Sequence, residues 1–78
     1  MMNGIMNYVR DNEFRMIVLE KQIDIINYLD LLSMSEERVS LTSSFGRIVI
    51  KGEKLSVKKL LNKEILIVGN FTNIEMGE

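Results

Sequence analysis

Two short apolar runs, each stopped by a glycine, constrain this chain most: IVIKG at 48–52 and ILIVG at 65–69, offset by 17 residues. Runs this short suit strands better than helices. Sliding the first onto the second superimposes Ile48, Ile50, Gly52 and Val57 on Ile65, Ile67, Gly69 and Ile74. Each unit reads as strand, glycine turn and second strand, which is a hairpin. Two copies are too few for a solenoid, which needs about three or more, so the repeat predicts successive hairpins in a meander. Gly46, closing SSFG at 43–46, is a third expected turn beside Gly52 and Gly69. The three glycines lie too far apart for a phosphate-binding loop.

The remaining segments agree with a β reading. Val39 and Leu41 alternate with Arg38, Ser40 and Thr42, the mark of a half-buried strand. Leu55 and Val57 point inward between Lys54, Ser56 and Lys58. From Phe14 to Leu32 the period is ambiguous, because apolar residues cover most of a helical wheel. The β-branched content of Arg15–Glu20 and Gln22–Tyr28, and the β-rich remainder, decide for strands there. The sum is an all-β domain over 13–78, a small antiparallel sandwich or roll of about seven to eight short strands. Residues 1–12 form a polar, Asn-rich leader, loose or briefly helical.

One strand differs from its neighbours. Ile65–Val68 is apolar on both faces, a pattern expected where both sides are covered. A chain of 78 residues buries only about 60–65% of its unfolded surface, so its own core is marginal. There is no cysteine or histidine to supply disulfides or the common metal ligands. Association is the remaining aid. Leu66 and Val68 are accordingly expected to be covered by the leader or by another copy, and self-association through them would make the protein a homo-oligomer.

The same absences remove the usual catalytic triad. Ser56 and Lys58 would be neighbours two apart on one strand face, about 7 Å from each other, too far for activation. Glu36–Glu37 reads as a solvated turn, and Asp24 and Asp30 as a loose carboxylate pair. No catalytic residue, cofactor or metal site is expected. Charge is uneven: residues 47–63 hold six basic residues and Glu53, while both flanks are acidic and the chain totals −1. Lys51, Lys54 and Lys58 are therefore candidates for docking to an acidic partner or surface. A nucleic-acid-binding regulator using this band is the alternative. It is disfavoured by 6% aromatic content and a pI near 5.4. No signal-peptide pattern or apolar stretch of about 20 residues occurs, so the expected location is cytoplasmic.

From Asn27 the order of Ser35–Arg38, Val39–Leu41, Gly46, Ile48–Lys58, Glu64–Gly69 and Ile74–Met76 resembles the YabP/YqfC family of sporulation proteins. Ile26 and Tyr28 stand where that family tends to carry Glu and His around the Asn. The resemblance implies a non-enzymatic protein of spore development. It would act in the mother cell, in forespore envelope or spore coat formation, with a membrane or coat protein encoded alongside it. It carries over no catalytic residue; Gly46, Gly52 and Gly69 carry over as turn positions only.

Overall fold

A computed structural model describes residues 13–77, so the leader expected at 1–12 lies outside the described residues. The all-β antiparallel expectation holds. The strands are β1 (Arg15–Val18), β2 (Gln22–Ile26), β3 (Asp30–Met34), β4 (Arg38–Ser43), β5 (Gly46–Leu61) and β6 (Glu64–Met76). They form one sheet in the order β1-β2-β6-β5-β4-β3. Every neighbour but β2–β6 is also a neighbour in sequence, so the order is largely that of a meander.

Six strands stand where seven to eight were expected, because two of the expected turns are absent. Gly52 lies inside β5 and Gly69 inside β6, and neither ends a strand. The β5–β6 ladder slips register at Lys51/Gly52, at Glu53/Ser56 and at Val57/Lys59. These bulges bend the two longest strands without breaking them. Gly46 is the turn glycine of the three, closing the Ser43–Gly46 hairpin at φ 111°.

The bend folds the sheet onto itself. The 13 residues of β6 would span roughly 40 Å if straight. Phe14 stands near its start, through Arg15↔Ile26 and Ile26↔Glu64. Phe45 stands near its end, where Gly77 N–H donates to Arg47 O. Yet the two rings meet edge to face with centroids 5.9 Å apart. The two ends of the strand therefore come together, and one face of the sheet lines a single core.

That core explains the sequence repeat. In one wing Ile23 sits opposite Ile67 and Ile25 opposite Ile65; in the other Val39 sits opposite Ile50 and Leu41 opposite Ile48. All eight are buried and join Leu55 in one cluster. Each contributes about 1.5–3 kcal/mol by leaving water. The wings are related by an approximate two-fold that exchanges β5 with β6, β4 with β2 and β3 with β1. Each glycine is the point where its strand leaves one wing for the other. Gly52 N–H donates to Glu37 O at 3.0 Å, and Gly69 N–H to Lys21 O at 3.1 Å, each in the hairpin turn of its own wing.

Both glycines are needed for close approach. A Cβ on Gly52 would lie 2.0 Å from Asn70 O, and one on Gly69, at φ 144°, would lie 2.8 Å from Lys54 O. Two strands cross here with no room between their backbones. Leu55 N–H reaches Glu36 O at 2.8 Å, and Lys21 Nζ donates to Asn70 Oδ1, tying both hairpin turns to the crossing.

Candidate functional site

The inner faces of the two wings match, but the outer faces do not. Residues opposite one another on an antiparallel pair point to the same side. On the β2–β6 wing, three outward rows run from β2 through β6 to β5. They are Gln22–Val68–Ser56, Asp24–Leu66–Lys59 and Ile26–Glu64–Leu61. Ile17 extends the middle row on β1 and is half exposed. On the other wing the corresponding middle row is Ser40–Val49–Glu75, and Glu75 is bridged to Lys51 at 3.0 Å. Ser40 and Val49 are buried, so that row offers little surface to a partner, whereas Leu66 and Val68 on the outward surface of the β2–β6 wing stay partly exposed.

Leu66 and Val68 lie at the centre of that surface, each half-buried by its neighbours. Sequence reading found them because the run ILIV has no polar alternate. It did not single out the group beside them. One of the two carboxylate oxygens of Asp24, Oδ1, is shut off from water and has no hydrogen-bond partner among the described residues. Burial first, then a hydrogen bond to the Glu64 carboxyl and that carboxyl's charge, push Asp24 above its ordinary value of 3.8, with Lys59 opposing. Lys59 Nζ lies 3.6 Å from Glu64 Oε2. Asp24 was paired with Asp30 on composition; its neighbour is Glu64, while Asp30 is on β3 in the other wing. The signal was present in QIDII, an acid between isoleucines in a strand, where aspartate is disfavoured.

The three docking lysines are not brought together. Lys51 is held by Glu75 in the first half of β5. Lys54 occupies the bulge at the crossing with φ 55°, and Lys58 lies exposed beyond it. The register slips remove the strict alternation that would align them on one face. Ser56 lies on the outward row with Val68. Glu36 and Glu37 hold the crossing through their carbonyls. An open cleft of about 220 Å³ between the β3–β4 turn and the β5 bend is lined by Met34, Val39, Leu55 and Val57 among others. That is below the roughly 300–1,000 Å³ of small-molecule pockets. Among the described residues, no three acidic side chains converge as a metal site, and no helix is long and apolar enough to cross a membrane.

The model of the YabP family matches residues 12–78. The chain belongs to the YabP family. No curated protein and no solved structure matches it. The match takes in all six strands, both wings and the crossing. Membership in the YabP family points to a sporulation-associated protein.

Proposed function

We propose that this chain is a non-enzymatic assembly module of spore development. It associates with itself through the outward face of the β2–β6 wing. It also docks on a membrane or coat protein encoded alongside it, in the mother cell at the forespore envelope or coat. The observation that carries this reading is the contrast between the wings: in one the outward Ser40 and Val49 are already buried beside an ion pair, in the other Ile26, Leu66 and Val68 stay partly exposed around a partly desolvated acid. Family membership supplies the biological setting.

Docking falls to Lys54 and Lys58, which make no ion pair among the described residues, whereas Lys51 and Lys59 do. Light scattering on the purified protein tests the first half: mass should rise above that of one chain as concentration increases. A fixed mass of 9.0 kDa at every concentration would remove self-association from the proposal. Capture from sporulating cells, using wild type and Lys54→Glu/Lys58→Glu as baits, tests the second half. A membrane or coat protein should be retained by the first bait and lost from the second; equal retention would move docking elsewhere.

A further inference from the structure

The outward face of the β2–β6 wing is complementary to itself. Asp24 and Lys59 both sit opposite Leu66, one strand to either side of β6. Gln22 and Ser56 flank Val68 in the same way, and Ile26 and Leu61 flank Glu64. A two-fold axis running along β6 in the plane of contact exchanges the two sides. It lays Lys59 of one copy over Asp24 of the other, Ser56 over Gln22, and Leu61 over Ile26. Leu66 and Val68 then meet their own copies. We propose that the self-association partner is a second copy in this isologous arrangement, with β6 along the axis and two Asp24–Lys59 pairs across it. This rests on the self-association reading above and specifies its geometry.

Three features favour a second copy over an unlike partner. The face carries a cation and an anion placed symmetrically about an apolar strand, as a two-fold interface requires. Much of the cost of removing Asp24 from water is already spent within the fold, since Oδ1 is shut off from solvent. The polar row (Gln22, Ser56) and the apolar row (Ile26, Leu61) also pair like with like. The charged groups facing Asp24 are Glu64 on β6, Lys59 on β5 and, one diagonal away on β1, Arg15. One contact opposes the arrangement: Glu64 faces its own copy. It lies at the end of β6, at the edge of the patch.

With β6 on the axis the overlapping patch is three strands wide (β2, β6 and β5) and about five residues long, roughly 14 by 17 Å. This is below the ~800 Å² per partner of a standard interface, which predicts a weak dimer that dissociates on dilution.

The test is a charge exchange. Asp24→Lys alone and Lys59→Asp alone should each give monomers, because each sets like charges opposite one another. An equimolar mixture should restore dimer at the wild-type level, since both pairs are then opposite in sign. Circular dichroism checks that each variant is folded. Should either fail to fold, cross-linking decides the matter, because the chain has no cysteine of its own. Val68→Cys, on the axis, should be joined to its own copy by a short bis-maleimide, and Ser44→Cys, in the β4–β5 turn, should not. Wild-type dimer without rescue in the mixture, or without cross-linking at 68, overturns this geometry and leaves self-association standing. Wild-type monomer at all concentrations overturns both.

Discussion

Replacing Gly52 by alanine tests whether this glycine is a crossing point or a turn. The added methyl would lie 2.0 Å from Asn70 O and 3.0 Å from Asn70 C, where ordinary contact begins at 3.4 Å. The obstacle is backbone, so β6 must retreat by more than an ångström at the point where Glu53 faces Asn70. Overpacking a rigid site costs about 1–3 kcal/mol, and displacing the strand also strains the Gly52–Glu37 hydrogen bond. A loss of about 3 kcal/mol is expected. A domain of this size holds only about 4–12 kcal/mol in all, so the melting temperature should fall by roughly 10–25 °C. Urea and thermal unfolding followed by far-ultraviolet circular dichroism read both quantities, as the chain has no tryptophan. In an open turn with compatible φ, alanine would instead be neutral or stabilising by about 0.4–1 kcal/mol. A loss smaller than about 1 kcal/mol would refute the crossing.

Three further outcomes follow from the same geometry. Ile50→Val and Ile67→Val, at equivalent places in the two wings, should each cost about 0.5–1.5 kcal/mol and by similar amounts; a several-fold difference in urea unfolding would contradict the matched cores. Lys54→Gly should raise stability by up to about 1 kcal/mol, because Lys54 is held at φ 55°. A glycine elsewhere within a strand costs about 0.5–1 kcal/mol, so a loss of that size would contradict the bulge conformation. Asp24→Asn should raise the unfolding midpoint of dilute, monomeric protein at neutral pH. Asp24 has its pKa raised in the fold, so the ionised form penalises folding above that raised value. The penalty shrinks as pH falls through it and vanishes below the ordinary value of 3.8. A gain independent of pH would mean that the Asp24 charge is not its source.

The sequence announces strands through local period. Val39 and Leu41 face the core as expected, though Ser40 between them is buried as well rather than wet, and Leu55 and Val57 point to the core as expected. Gly52 and Gly69 misled because a glycine that ends a strand and one that bends it carry the same local signature. Only the pairing of Ser56 with Val68 and Ile50 with Ile74 distinguishes a continuous bent strand from a hairpin. The β2–β6 pairing, which spans about half the chain, is likewise invisible to local pattern. So is the meeting of Asp24, Glu64 and Lys59, which it creates. Leu66 and Val68 were legible because the run containing them departs from alternation. The Lys51–Glu75 ion pair arrives through the same long-range folding.

Amide NMR spectra recorded across a dilution series test the outward face most directly. The account predicts concentration-dependent shifts at Gln22, Asp24, Ile26, Ser56, Lys59, Leu66 and Val68, with Ser40, Val49 and Glu75 on the other wing unmoved. Spectra that do not change with concentration, or changes confined to the β3–β4 wing, would contradict it.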